Sequence, residues 1–279
     1  MKTTRLFLIF ILIMLTGCNP SVPDKNNAAS LIPDVNTSDT VSTENAEEVV
    51  QESETEPIAA EPVTGNCDND YYPVKTGVSW DYAISSSISG DNTFTRSITD
   101  VHDTGFSDLD IFSVGTERTG TWTCDSGNIT ALNQGGAATV SIPAEAGVPV
   151  FEATSQESNG VTYPASLDVG QSWNQDLVIS GDLMITEGMT TFATNETSNA
   201  CTVIGEESVS VPAGTFTALK ADCSTTMIVT VEIEGVATDP VTINSTSEMW
   251  LVKGVGMVKI VESNNLGDSS IELTSYSIP

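Results

Sequence analysis

The chain is poor in the residues on which most enzyme chemistry rests. It has one histidine, His102, and nine basic residues among 279. Aromatic residues make up 6% of it. No Cys-x-x-Cys pair occurs and His102 is the only histidine, so no zinc site is expected. A Ser–His–Asp or Cys–His system would have to use His102. That residue stands in Val101-His102-Asp103-Thr104-Gly105, which reads as a turn after a strand, and no Gly-x-Ser-x-Gly elbow accompanies it. There is no Gly-rich phosphate loop and no dinucleotide fingerprint, and no cofactor is implied. Lys and Arg are outnumbered 9 to 38 by Asp and Glu, for a net charge of −29. Nucleic acid is bound through cations on phosphate, so this balance argues against it, and equally against docking on anionic lipid headgroups. Long apolar runs are missing too. The longest, Leu6–Leu15, is half of the roughly 20 residues that a membrane span requires.

That run belongs to a different kind of segment. Lys2 and Arg5 precede it, and the small residues Thr16 and Gly17 end it before Cys18. A basic start, a short apolar stretch and small residues at its end describe a secretory signal peptide over residues 1–17. The ending Leu15-Thr16-Gly17-Cys18 resembles the lipobox of bacterial lipoproteins. The resemblance implies cleavage before Cys18, acylation of that residue and export. One acyl chain holds a protein only marginally, whereas more than one gives stable anchoring. The resemblance therefore also implies a membrane partner reached through lipid. Asn19 follows where inner-membrane lipoproteins often carry Asp, which points to the outer membrane in a two-membrane cell, and otherwise to the outer face of the plasma membrane.

After Cys18 the composition changes. Residues 18–63 hold Pro20, Pro23, Pro33, Pro57 and Pro62, no aromatic residue, and ten acidic residues against Lys25 alone. A stretch so polar and so charged cannot bury enough surface to offset its ordering entropy. It is expected to be a disordered, self-repelling linker that holds the remainder off the membrane. Thr43–Thr55 is the one part of it with helical potential.

Residues 64–279 read as all-β. Alternation of apolar and polar positions is widespread and no helical stripe is convincing. Met227, Val229, Val231 and Ile233 face one way, with Ile228, Thr230 and Glu232 facing the other. Turn signals recur at Ser89-Gly90-Asp91-Asn92, Asp125-Ser126-Gly127-Asn128, Asn159-Gly160 and Ser180-Gly181-Asp182, which fits antiparallel meanders. An internal repeat organises them. Tyr72-Pro73 followed by Gly77-Val78-Ser79-Trp80 recurs as Tyr163-Pro164 followed by Gly170-Gln171-Ser172-Trp173. Each unit later carries a Trp and a Gly turn, Trp122 with Gly127 and Trp250 with Gly254. The expected architecture is two similar lobes, about 64–160 and 161–279, forming an open half-barrel or a sandwich.

With Cys18 acylated, Cys67, Cys124, Cys201 and Cys223 remain, an even number that suggests two disulfides in an exported chain. Cys201–Val211 and Thr215–Cys223 read as strands joined by Pro212-Ala213-Gly214. A register whose numbers sum to 424 sets Cys201 against Cys223, Val203 against Ala221 and Gly205 against Leu219, all on one face. Cys67–Cys124 is then the second bridge.

The acidic residues offer too many pairs to choose glycosidase carboxylates from sequence. Asp68-Asn69-Asp70 and the group Asp100, Asp103, Asp108 and Asp110 carry the hard oxygen ligands that calcium takes, without the full loop pattern of a calcium hand; they are expected to be solvated turns. The overall acidity fits solubility and repulsion from anionic neighbours, or salt adaptation.

Three segments carry a wider resemblance: Tyr71-Tyr72-Pro73 with Gly77-Val78-Ser79-Trp80-Asp81-Tyr82, then Val209-Ser210-Val211-Pro212-Ala213-Gly214-Thr215-Phe216, then Trp250 with Gly254-Val255-Gly256-Met257-Val258-Lys259. Together they resemble a broad set of uncharacterised bacterial lipoproteins and exported β proteins. These are distantly similar in architecture to the open β-barrels of lipoprotein carriers, which wrap a curved sheet around an apolar cavity. Two roles follow as expectations. The first is a structural or protein-interaction lipoprotein without enzymatic activity. The second is a module for an apolar or lipid-like ligand, with Trp80, Trp173, Phe216 and Trp250 on its concave face.

Overall fold

A computed structural model of the protein describes residues 66–87, 90–115, 117–133, 139–141, 150–186, 189–233 and 235–279. The signal peptide, Cys18, the acidic linker with its Thr43–Thr55 segment, and Ser89 lie outside the described residues. No α-helix occurs among the described residues. The strands are β1 (Ser79–Ser86), β2 (Asn92–His102), β3 (Gly105–Phe112), β4 (Glu117–Asp125), β5 (Asn128–Ala131), β6 (Thr139–Ser141) and β7 (Val150–Gly160). They continue as β8 (Ser172–Thr186), β9 (Met189–Val211), β10 (Gly214–Ile233), β11 (Val236–Ala237), β12 (Val241–Val252), β13 (Gly256–Asn264) and β14 (Asp268–Ser277).

Chain order and sheet order nearly coincide. Every pairing is antiparallel, and β1-β2-β3-β4-β6-β7-β8-β9-β10-β12-β13-β14 form an up-and-down succession with β5 and β11 as short side strands. The last strand then pairs with the first, from Ser79↔Ser277 to Ser86↔Ser269. The two expected meanders are thus parts of one nearly closed, barrel-like sheet. Its thinnest point is β6, which meets β4 over Glu117–Thr119 and β7 through the single pair Val140↔Phe151.

The repeated sequence motifs occupy matching places. Gly77 and Gly170 adopt φ of +86° and +88°, a region that Gly enters without the Cβ penalty, and each is followed by the Ser-Trp that opens β1 or β8. The two motif tyrosines meet: the rings of Tyr72 and Tyr163 lie 5.0 Å apart. Around Tyr72 also pack Trp80 (5.5 Å), Trp122 (5.5 Å) and Phe106 (5.6 Å). This aromatic centre continues into Val203, Leu251, Val258 and Leu273, all at most 1% exposed. Asn69 fastens the entering chain to it, its Nδ2 donating to Gly127 O at 2.8 Å and Pro164 O at 2.9 Å. A second, smaller apolar cluster, Ala193, Val229, Val231 and Ile243, lies further along the long strands β9, β10 and β12. The expected strand Met227–Ile233 is the far end of β10. Ser180-Gly181-Asp182 is not a turn: it continues β8, whose pairing with β9 runs on past it to Thr186↔Met189.

The two disulfides join Cys67 to Cys124 and Cys201 to Cys223. Cys201 pairs with Cys223 and Val203 with Ala221, but Gly205 pairs with Lys220 and Leu219 with Glu206. The 424 register therefore stops at Val203. The hairpin turn is the reason. Val211 pairs with Gly214, which makes Pro212-Ala213 a two-residue loop and sets the register sum at 425 on that side. One residue must be extra between turn and bridge, and it is Ile204, a bulge whose side chain is 48% exposed. Beyond it Leu219 and its neighbour Ala218 are both buried on β10. The hairpin end can then reach back to the body, where Ala213 N donates to Leu273 O at 3.0 Å and Phe216 meets Tyr276 at 6.3 Å.

The bridges close loops of unequal length, with sequence separations of 22 for Cys201–Cys223 and 57 for Cys67–Cys124. Replacing Cys201 and Cys223 with Ala is expected to cost about 3 kcal/mol, and replacing Cys67 and Cys124 about 1 kcal/mol more, because the longer loop gains more entropy on release. Urea midpoints of the two double variants under oxidising conditions check the order. Equal losses would mean that loop length does not govern them.

Candidate functional site

The four aromatic residues singled out from sequence belong to or pack against one buried apolar cluster, in different surroundings. Trp80, 2% exposed, is sealed in the aromatic centre, with its indole N–H donating to Val255 O at 2.6 Å. Trp173 is half-buried at the start of β8 and donates to Thr162 O at 3.0 Å. Trp250 lies between two cations, with Lys220 Nζ 5.0 Å and Lys259 Nζ 5.8 Å from its ring, and donates to Glu207 Oε1 at 2.7 Å. Phe216 stands near the tip of the β9–β10 hairpin, against Tyr276.

The strongest electrostatic feature is one that the sequence reading did not anticipate. Arg96 on β2 alternates with Phe94 and Ile98 and so turns inward with them. It faces Asp110 on β3, which in turn faces Arg118 on β4. Arg96 Nε and Nη2 donate to the two Asp110 carboxylate oxygens at 2.7 and 2.8 Å, and Arg118 Nη2 donates to Asp110 Oδ2 at 2.6 Å. Asp108, one step along β3, lies 3.5 Å from Arg96 Nε and accepts from the Tyr72 hydroxyl at 3.3 Å. Asp108 and Asp110 are 1% and 2% exposed. They are not the solvated turn expected of them, because both fall on the inward face of a strand with arginine waiting on the next one. Nor do they form one oxygen cluster with Asp100 and Asp103, which remain exposed at the β2–β3 turn. Asp68-Asn69-Asp70 is likewise divided: Asn69 is buried, and Asp70 pairs with Lys253 at 2.7 Å.

The two buried carboxylates are driven in opposite directions. Burial pushes Asp110 up, but the charges and hydrogen bonds of Arg96 and Arg118 outweigh it and hold its pKa below the ordinary value. For Asp108 burial prevails over Arg96, and its pKa is raised. Burial likewise raises Tyr72 well above the ordinary phenol value. The arrangement binds and orients its own groups. It carries no nucleophile with an adjacent base, and His102 lies exposed at the β2–β3 turn.

One concavity is lined mainly by exposed side chains of the sheet. A groove of about 970 Å³ crosses β8, β9, β10, β12 and β13. The exposed side chains of Ser172, Asn174, Ser224, Thr246, Asp222 and Glu248 line it, with the bulged Ile204 at one side. The Cys201–Cys223 bridge lies beneath its floor. Glu248 is held by Lys220 Nζ at 2.5 Å, while Asp222, directly opposite Glu248 in the ladder, adds a second negative charge. The groove therefore sets two carboxylates and several hydroxyl groups beside the apolar surface of Trp173, Ile204 and Val261.

Residues 144–277 match the DUF3108-like family model. That match begins before β7 and ends at the last residue of β14. Among solved structures, the chain is similar to a protein of Bacteroides fragilis described as exported with a YmcC-like fold, at 14% identity and a TM-score of 0.47, covering 75% of this chain and 100% of that one. It is similar at 14% identity and a TM-score of 0.48 to a protein of Parabacteroides distasonis described as a lipoprotein, covering 75% of this chain and 99% of that one. The hypothetical lipoprotein YmcC of Escherichia coli K12 matches at 11% identity and a TM-score of 0.33, covering 73% of this chain and 86% of that one. No curated protein matches the chain.

The buried charges give a paired prediction. Asp110→Asn leaves Arg96 buried without its counter-ion and is expected to destabilise the domain by about 3–5 kcal/mol at neutral pH. Asp108→Asn is expected to cost far less there, because Asp108 stands 3.5 Å from Arg96 and takes no part in the forked pair that Asp110 makes. The Asp110 contribution is full above the ordinary carboxylate pKa of about 4 and is lost as pH falls through its lowered folded value, so the gap between wild type and Asp110→Asn closes only in strong acid. Urea unfolding across the acid range tests both. Equal losses for the two variants at neutral pH would contradict the assignment.

Proposed function

We propose that the protein is a lipoprotein held at the cell envelope by acylated Cys18, and that its β domain serves a structural or protein-interaction role without catalysis. The observation that carries this reading is the packing of the interior. The space around Tyr72 is taken up by four other rings at 5.0–5.6 Å, and the ion-paired arginines and aspartates occupy the adjoining inward positions. This supports an interaction role over a carrier of apolar ligands, which would need an unfilled apolar interior. The two disulfides support an oxidising compartment, since such bridges persist outside the cytoplasm and rarely within it. The lipobox-like Leu15-Thr16-Gly17-Cys18 supports anchoring, and Asn19 supports an outer-membrane address in a two-membrane cell. The domain is read as two similar lobes, about 64–160 and 161–279, and its groove is the surface offered to a protein partner.

Expression of the full chain with labelled palmitate tests the anchor: wild type is expected to take up label and sediment with membranes, and Cys18→Ser to take up none. Native mass spectrometry of the purified lipoprotein tests the role. The mass of chain plus anchor supports the interaction reading. An additional mass that departs on organic extraction would replace it with the carrier reading.

A further inference from the structure

The chain has four tryptophans. Three of their indole N–H groups donate to protein oxygens, Trp80 to Val255 O, Trp173 to Thr162 O and Trp250 to Glu207 Oε1. The fourth, Trp122 Nε1, is buried and has no hydrogen-bond partner. Nearby on the same hairpin, Asn133 is 1% exposed, and neither its Nδ2 nor its Oδ1 has a partner. The register brings these groups together. Trp122 pairs with Ala131, and Leu132 N donates to Thr121 O at 2.9 Å, so the next inward position, that of Asn133, adjoins Gly120. Gly120 brings no side chain, and its partner on β3 is Asp108. The Trp122 indole is near enough to the Asp108 carboxylate to favour its charged form. Buried donors and acceptors left unpaired are costly, and native interiors satisfy nearly all of them.

The chemistry of the position identifies its occupant. Arg96 and Arg118 balance Asp108 and Asp110, so the surrounding layer is neutral overall and draws neither a free cation nor an anion. The occupant must both donate and accept, because Trp122 supplies one N–H, Asn133 supplies two N–H and one C=O, and Asp108 only accepts while charged. It must also be small, since the Trp122 ring is packed against Phe106 at 5.4 Å and Tyr72 at 5.5 Å. A small neutral molecule that donates and accepts at once is water, which is held in protein interiors by about three bonds to otherwise unsatisfied groups. We propose that the inward face of the β4–β5 hairpin is a binding site for ordered water, held by the Trp122 indole and the Asn133 carboxamide beside Asp108. This site is independent of the interaction reading above.

The test uses the full lipoprotein in detergent micelles, labelled with ¹⁵N only at its tryptophan indoles, with Trp122→Phe to assign the signal. Trp122 Hε1 is expected to show a direct dipolar cross-peak to water, of the sign given by a water that tumbles with the protein. Trp80 Hε1, equally buried but bonded to a carbonyl, is the internal control and is expected to show none. In Asn133→Leu the Trp122 cross-peak is expected to weaken several-fold or vanish while the Trp80 signal stays in place. A Trp122 indole as silent to water as Trp80 would overturn the proposal, and the wild-type spectrum alone decides that point should the variant fail to fold. A cross-peak of full strength in folded Asn133→Leu would overturn it as well.

Discussion

The pairing of β14 with β1 is the constraint on which the rest of the structure depends. Without it the chain would be a curled strip of sequential hairpins with two free edges. With it, one face of every strand around the circuit is directed inward, and the choice of residues on that face becomes binding on all the others. A slip of one residue on any strand would send its apolar set outward and its polar set in. The closure also explains why the aromatic centre is shared. Tyr72 precedes β1, Tyr163 precedes β8, and their rings meet inside the circuit. Trp80 and Tyr82 of β1 donate to the carbonyls of Val255 and Met257 on the far side of the β14 junction, so side chains reinforce the same closure that the backbone makes.

Within that frame the charges are distributed unevenly. The basic residues following the linker are Lys75, Arg96, Arg118, Lys220, Lys253 and Lys259, and all but Lys75 are engaged in ion pairs. The two arginines sit inward and the lysines sit at or near the surface. Buried pairs of this kind add little net stability over an apolar filling, because desolvation offsets most of the attraction. Their effect is on uniqueness. Arg96, Asp110 and Arg118 lie directly across from one another on β2, β3 and β4, so a shifted register would strand at least one charge in the interior. The pairing therefore penalises alternatives more than it rewards the native arrangement.

How much of this was legible in the sequence depends on the range of the interaction concerned. Local signals were readable: Gly-x-Ser-Trp marks a glycine turn into a strand at both of its occurrences, and Cys201 and Cys223 lie opposite each other as residues of one hairpin. The register beyond the bridge was not read correctly, although its cause is local. The bridge and the two-residue Pro212-Ala213 turn demand sums that differ by one, and only a bulge reconciles them. Ser180-Gly181-Asp182 misled because turn residues tolerate extended conformations wherever neighbouring strands supply the ladder. The Arg96–Asp110–Arg118 layer was missed for a different reason. Its signal, an arginine between Phe94 and Ile98 on the apolar phase, is visible, but its partners lie on two other strands whose register the sequence does not specify.

The closed circuit has a consequence for how the domain meets other chains. Strands as long and as rich in Thr, Val and Ile as β9 and β10 would, with a free edge, present an extended row of N–H and C=O groups ready to recruit another chain. Here each of them has its neighbour on both sides for much of its length, and the side strand β11 is only two residues long. Along β9 and β10 the protein can therefore display broad sheet faces while withholding the backbone, so that what meets those strands must recognise side chains and cannot simply add a strand.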